Sequence, residues 1–202
     1  MDNRGPIVLR NCVELEDPLP VILGFLEEGW VDVGGPFRPA TFGESDLRSA
    51  NRGGARISAA EIAAILERRR AIERALRAID PGASLTRAGR SVPWMPLGRL
   101  FAAFGEIHGV GFSKMTKALH PKRPSLIPIL DSVVQTYLAA DDLGAAAPFG
   151  ERALGLVRGY KRDLDRNRTA VRAIGRELSR RGYALTDVRI LDLLIWSVGA
   201  AV

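Results

Sequence analysis

The chain has 202 residues, of which 47% are hydrophobic and only 6% are aromatic, and its formal net charge is +6. This length predicts a single domain with one well-buried core, and the scarcity of alternating Val, Ile and Thr favours helices over sheets. No apolar run approaches the roughly 20 residues that span a bilayer, and the first residues do not resemble a signal peptide, so we expect a cytoplasmic protein without membrane contact.

The residues that bind metals are scarce. Cys12 is the only cysteine, and His108 and His120 are the only histidines. One cysteine cannot hold an iron–sulfur cluster or a four-cysteine zinc site within this chain alone, and it cannot form an internal disulfide. We therefore predict no metal and no cofactor.

Charge is distributed unevenly along the chain. Residues 1–35 carry a net charge of −5, whereas residues 36–150 and residues 151–181 each carry +6. A basic body beside an acidic flank indicates a polyanionic partner such as nucleic acid. The alternative is that the arginine-rich helices simply face solvent.

In chain order, residues 1–40 are expected to form an irregular acidic N-terminal segment, and residues 41–202 a single helical domain. Within the segment, residues 20–28 predict a short helix that Gly29 ends, and short strands can form at residues 7–9 and 30–33. A capping box of Ser58 and Glu61 begins a long amphipathic helix that the Pro81-Gly82 pair ends. Shorter or later helices are predicted at residues 45–51, 96–107, 132–140, 151–164, 169–181 and 187–198.

A glycine turn lies between two apolar helical segments near the middle of the chain. The glycines can supply the positive φ angles of a tight helix–helix turn, and the second helix then begins with free backbone N–H groups and the positive end of its dipole. Basic side chains follow within a few residues. Together they predict a phosphate-binding surface formed by Gly109, Val110, Gly111, Lys114 and Lys117 and extended by Lys122 and Arg123.

Asp131 follows an apolar run and stands at the predicted start of a helix. One interpretation is a helix cap, which stabilises by about 1 kcal/mol. The other is a catalytic carboxylate held beside a cleft by a rigid helix end. The residues around Asp131 leave both interpretations open.

Residues 107–134 resemble the helix-hairpin-helix (HhH-GPD-like) DNA glycosylases. In that superfamily a Leu-Pro-Gly-Val-Gly hairpin is followed by an apolar segment that ends in an aspartate; here the hairpin is Ile107-His108-Gly109-Val110-Gly111 and the aspartate is Asp131. The resemblance implies a mainly α, helix-hairpin-helix DNA glycosylase-like domain. It also implies that the hairpin amides hold a DNA phosphate while the aspartate supports loss of an extruded base from its sugar.

Ser113 stands where the bifunctional members of the superfamily carry a Schiff-base lysine, so the resemblance implies a monofunctional glycosylase without a lyase step. We include Ser113 among the phosphate-binding residues. A second resemblance, carried by the segment from Lys122 to Pro128, by residues 131–134, and by Arg189, Asp192 and Trp196, is to an uncharacterised actinobacterial domain family of unknown function. It implies a shared fold and no particular chemistry.

Two aromatic residues are candidates for stacking on a base. Trp94 precedes the helix that enters the hairpin, and Phe112 lies at the hairpin tip, so either can line a base pocket or wedge into a duplex. A lid over the hydrophobic core is the alternative for both. Arg189, Asp192 and Trp196, spaced along one helix, are interpreted as structural.

The sequence thus predicts a DNA-binding protein resembling a monofunctional DNA N-glycosylase, with duplex backbone contacts. The alternatives are a DNA-binding protein without catalysis, in which Asp131 only caps a helix, and a protein-interaction module that does not bind nucleic acid. Lesion, sequence specificity and oligomeric state stay open.

Overall fold

A computed structural model of the chain describes residues 5–29, 39–86 and 91–199. These residues form ten α-helices and one two-stranded sheet, which confirms the prediction of a mainly α fold. The strand predicted at residues 30–33 lies outside the described residues. None of the described helices is long and apolar enough to cross a bilayer.

The helices follow most of the predicted segments closely, but those predicted over residues 96–107 and 132–140 end earlier, at Ala102 and Tyr137. In chain order they are α1 (Pro18–Glu27), α2 (Glu44–Arg52), α3 (Ala59–Glu67), α4 (Arg69–Arg77), α5 (Trp94–Ala102), α6 (Phe112–Leu119), α7 (Ser132–Tyr137), α8 (Phe149–Arg166), α9 (Arg168–Arg180) and α10 (Asp187–Gly199). Short 3-10 helices span Arg10–Cys12, His120–Lys122 and Ala139–Asp141.

The N-terminal segment packs into the same hydrophobic core as the rest of the chain. Strands β1 (Ile7–Val8) and β2 (Glu14–Leu15) pair antiparallel, with Ile7 opposite Leu15. Ile7 and Leu9 are fully buried, as is Ile22 on α1. Helix α1 can begin at Pro18 because the first turn of a helix needs no backbone N–H from that residue.

The helix predicted from Ser58 to Ile79 is divided into α3 and α4 at Arg68. The backbone N–H of Arg68 bonds to Ile65 O, three residues back, and its φ and ψ of −86° and 1° leave the α-helical region. Neither glycine nor proline lies at the break, so the apolar periodicity of the sequence does not predict it. The Ser58–Glu61 capping box is present as predicted.

Helix α10 is the central element of the fold. It packs against α7, α1 and α9, while α5 packs on α8 and α4, and α6 packs on α2. Seven of its residues are buried around its whole circumference, and Asp192 is the only charged one among them. A helix that is apolar on nearly all sides is normally a core helix, which makes a buried carboxyl there conspicuous.

Candidate functional site

A cleft of about 420 Å³ opens where α1, α2, α6, α7 and α10 meet. Its charged and aromatic lining comes from distant parts of the chain: Glu28, Arg52, Lys117, Asp131, Arg189, Asp192 and Trp196. The volume lies within the range of small-molecule pockets. One wall is formed by the end of α1 and by the glycine-rich turn after α2.

Asp131 lies on the wall of this cleft at the N-terminus of α7. Its Oδ1 accepts a hydrogen bond from the backbone N–H of Val134 at 3.1 Å, so the residue does cap the helix. Its Oδ2 accepts the indole N–H of Trp196 at 2.6 Å. The two bonds fix the carboxylate from both sides while it remains partly exposed to the cleft.

A buried hydroxyl ties the position of Asp131 to α6. Thr116, which is fully buried, donates its hydroxyl to Phe112 O at 2.7 Å and accepts the backbone N–H of Leu130 at 2.9 Å. Leu130 directly precedes Asp131. Through Thr116, helix α6 therefore fixes the position of the backbone just before Asp131, and with it the position of the carboxylate in the cleft.

Asp192 lies at the floor of the same cleft in a different environment. The residue is 1% exposed, its Oδ2 accepts the backbone N–H of Ile129 at a long 3.4 Å, and the hydroxyl of Tyr160 also interacts with the carboxyl group. Within the described residues its Oδ1 makes no hydrogen bond. Burial raises the pKa of Asp192 to about 7, an effect that the nearby His120 and Arg189 offset only in part.

The glycine turn contacts a carboxylate of its own chain. Gly109 has a φ of +77°, and a Cβ at this position would collide with Oε1 of Glu61. Lys114 Nζ lies 2.7 Å from Oε1 and 2.8 Å from Oε2 of that glutamate. Hydrogen bonds from Lys114 and from the backbone of Ser58 hold the pKa of Glu61 below its usual range.

The other residues of the predicted phosphate surface differ in accessibility. Gly111 precedes α6 in extended conformation and is exposed, Val110 is buried, and Ser113 is half-buried on the first turn. Lys117 donates to Gly54 O at 3.3 Å and faces the cleft. Of the predicted phosphate-binding side chains, Lys117 is the one that lines the same cleft as Asp131.

Lys122 and Arg123 were predicted at the surface, but the structure places both inside the protein. Lys122 is 3% exposed and pairs with Asp46 at 2.6 Å. Arg123 is 1% exposed and donates to the carbonyl oxygens of Pro39, Leu76, Ile79 and Lys122 at 2.7 to 2.8 Å. Burial also lowers the pKa of Arg123. In this conformation neither side chain can reach a phosphate.

The two predicted base-stacking aromatics do not line the cleft. Phe112 is buried against the ring of Phe149, with ring centroids 4.7 Å apart. Trp94 begins α5, packs against the core and lies under the guanidinium of Arg158, which is 5.4 Å from the ring centroid. The core-lid interpretation fits both, and among the described residues the aromatic that does line the cleft is Trp196.

Sequence reasoning missed Asp192, Arg189 and Trp196 as cleft residues, because their helical spacing on α10 is equally typical of structural pairs. A weak signal was available: a carboxyl within the apolar run Ile190-Leu191-Asp192-Leu193-Leu194-Ile195 is unusual for a core helix. Arg52, at the end of α2, carried no signal, since it reaches the cleft only through the packing of α2 on α6.

Comparison with known proteins gives the family but no activity. Residues 28–199 match the model of a "Family of unknown function (DUF6308)", and the chain belongs to that family. This confirms the predicted resemblance to an uncharacterised family. Neither a search of curated proteins nor a search of solved structures found a match.

Proposed function

We propose that this protein binds DNA and cleaves the N-glycosidic bond of a base extruded into the cleft, as a monofunctional DNA glycosylase does. The observation that supports the proposal best is the position of Asp131: a carboxylate held by Val134 and Trp196 on the wall of a cleft that Arg52, Lys117 and Arg189 line with positive charge.

The chemistry of the bond explains why these groups belong together. Breaking an N-glycosidic bond builds positive charge on the sugar, and a fixed carboxylate stabilises that charge while it accepts a proton from the attacking water. Cationic side chains around the opening attract the phosphates that flank an extruded nucleotide. The indole of Trp196 offers an aromatic surface beside Asp131.

The test measures abasic sites in duplex oligonucleotides that each carry one damaged or deaminated base. We expect alkali-labile sites with the wild type and a loss of at least about 100-fold in single-turnover rate with Asp131→Asn, since asparagine keeps the helix cap but not the charge. Strand breaks should appear only after alkali treatment, because Ser113 supplies no Schiff-base amine. Equal rates in wild type and Asp131→Asn would contradict the proposal.

The matched control is Asp165→Asn. Asp165 is an exposed residue near the end of α8 that pairs with Lys161 and Arg168 and does not line the cleft. The substitution removes the same single negative charge, so it corrects for any general change in DNA affinity. We expect its excision rate to match that of the wild type.

A second candidate function, DNA binding without catalysis, is favoured by the capping bond itself. Both oxygens of Asp131 already accept hydrogen bonds, one from Val134 and one from Trp196, as a purely structural residue requires. This candidate predicts salt-sensitive retardation of any duplex, no abasic sites with any substrate, and equal affinity for wild type and Asp131→Asn. Absence of retardation at low salt would instead favour a protein-interaction module.

A further inference from the structure

Of the three described acidic residues that line the cleft, Glu28 is exposed after α1, and Asp131 and Asp192 lie in contrasting surroundings. Asp131 is partly exposed and accepts two hydrogen bonds, whereas Asp192 is buried and has one oxygen, Oδ1, without a hydrogen bond among the described residues. A buried carboxyl favours its neutral, protonated form, and a solvated one favours its charged form. When the surroundings of two carboxyl groups in one site differ in this way, one of them commonly acts as the general acid and the other as the general base of the reaction.

We propose that Asp192 is the general acid of the cleft, which protonates the base, directly or through one water molecule, as its bond to the sugar breaks. The inference rests on the glycosylase function proposed above and deepens it. It assigns the substrates as bases that are uncharged in DNA. Without a proton such a base must leave as an anion, and its bond to the sugar then breaks slowly. A base that already carries a positive charge leaves as a neutral molecule without that help.

Excision of the base is a hydrolysis. The bond between the sugar C1′ and the base nitrogen breaks, and its electron pair stays on the base, which takes the proton from Asp192. Water then bonds to C1′ and gives one proton to Asp131. Asp192 is left as a carboxylate and Asp131 as a carboxylic acid, and exchange with solvent restores both. Water is the only co-reactant.

The groups around Asp192 allow it to hold the proton near neutral pH. Burial is the main cause of its raised pKa of about 7, which leaves about half of the molecules protonated at that pH. His120 after α6, Tyr160 on α8 and Arg189 on α10 act directly on its charge, and the other charged groups that line the cleft are Glu28 after α1, Arg52 on α2, Lys117 on α6 and Asp131 before α7. Because the protonated form is the active one, excision should decline as the pH rises above about 7.

The experiment compares two duplexes, one with a single hypoxanthine and one with a single 7-methylguanine, in single-turnover excision by the full chain. Hypoxanthine is uncharged in DNA, and 7-methylguanine is already cationic. With Asp192→Asn we expect excision of hypoxanthine to fall by roughly 100-fold or more and excision of 7-methylguanine to change by less than about threefold. The decline above pH 7 should appear only with hypoxanthine.

Retained excision of 7-methylguanine also shows that the variant is folded. Asp131→Asn should slow both substrates, and Asp187→Asn, on the same helix but outside the cleft lining, should slow neither. Equal loss of both substrates in Asp192→Asn, or no loss of either, overturns the assignment and leaves the glycosylase function standing. A wild type that excises only 7-methylguanine also overturns it. A wild type that retards DNA but forms no abasic site in these two duplexes or in those with the other damaged or deaminated bases overturns the proposed function itself.

Discussion

At the scale of single residues, a charged side chain that the sequence predicts at the surface can be buried in the folded protein. A Lys-Arg pair in a proline-containing loop is typical of a solvated or phosphate-binding surface. The sequence therefore predicts that Lys122 and Arg123 extend the phosphate-binding surface. In the structure, Asp46 neutralises Lys122, and four carbonyl oxygens surround the guanidinium of Arg123. Arginine suits this role because its planar fork of donors can satisfy several carbonyls at once.

Arg123 is therefore expected to contribute to stability and not to binding. We predict that Arg123→Ala lowers the free energy of unfolding by at least about 3 kcal/mol, since it removes the guanidinium donors to Leu76 O and Ile79 O near the C-terminal end of α4 and to the carbonyls of Pro39 and Lys122. Urea denaturation followed by far-UV circular dichroism measures the change. Arg74→Ala, an exposed arginine on α4, is the control and should shift the value by less than about 0.5 kcal/mol.

At the scale of elements, capping residues and helical periodicity were sufficient to predict most of the helices. The Ser58–Glu61 box, the stop at Gly182 with φ +88° and the cap at Asp131 all act locally, so the sequence carries them directly. The break at Arg68 has no such local cause. The break depends on how α3 and α4 pack on their separate neighbours, α2 and α5. The apolar periodicity of the sequence carries no information on this tertiary packing.

The contact between α3 and the glycine turn leads to a prediction about DNA affinity. Glu61 holds Lys114 by both of its oxygens, so that lysine is neutralised where a phosphate would approach Gly109. We predict that Glu61→Gln, which preserves the capping box, strengthens binding to duplex DNA. It should also steepen the dependence of log K on log salt concentration by about 0.9, the effect of one added phosphate contact.

The measurement is fluorescence anisotropy of a labelled duplex at several salt concentrations. Asp165→Asn removes the same charge from an exposed position near the end of α8, a helix that does not carry the turn, and is the matched control. If the two variants gain affinity equally, the effect is one of net charge, and Lys114 does not contact the DNA.

For the whole molecule, the cleft is a product of the tertiary fold. Its lining residues range from Glu28 to Trp196 along the chain, and Asp131 and Asp192 line the same cleft because α7 packs on α10. The sequence could predict the spacing between the glycine turn and Asp131, because both lie within one short segment. It could not predict that Trp196, and not Trp94, reaches Asp131, because that contact joins residues 65 positions apart.

The buried side-chain amide of Asn167 helps to attach the N-terminal segment to the rest of the fold, together with Arg10, which pairs with Asp141 and Asp163. The side chain of Asn167, between α8 and α9, accepts the N–H of Val8 at 2.8 Å and donates to Val8 O at 2.9 Å, as a neighbouring strand would. We predict that Asn167→Ala lowers the free energy of unfolding by about 2 kcal/mol, because both backbone groups of Val8 lose their partner.

The same substitution should increase hydrogen exchange at the amides of Val8 and its neighbours more than at those of α10, since the segment can then detach locally. Thr169→Ala, an exposed substitution on the first turn of α9, should change neither quantity. The buried side chains of Ile7 and Leu9 belong to the core that also holds α10. If exchange instead rises equally in the segment and in α10, the segment unfolds only together with the helix that carries Asp192, and the floor of the cleft and the N-terminus form one cooperative unit.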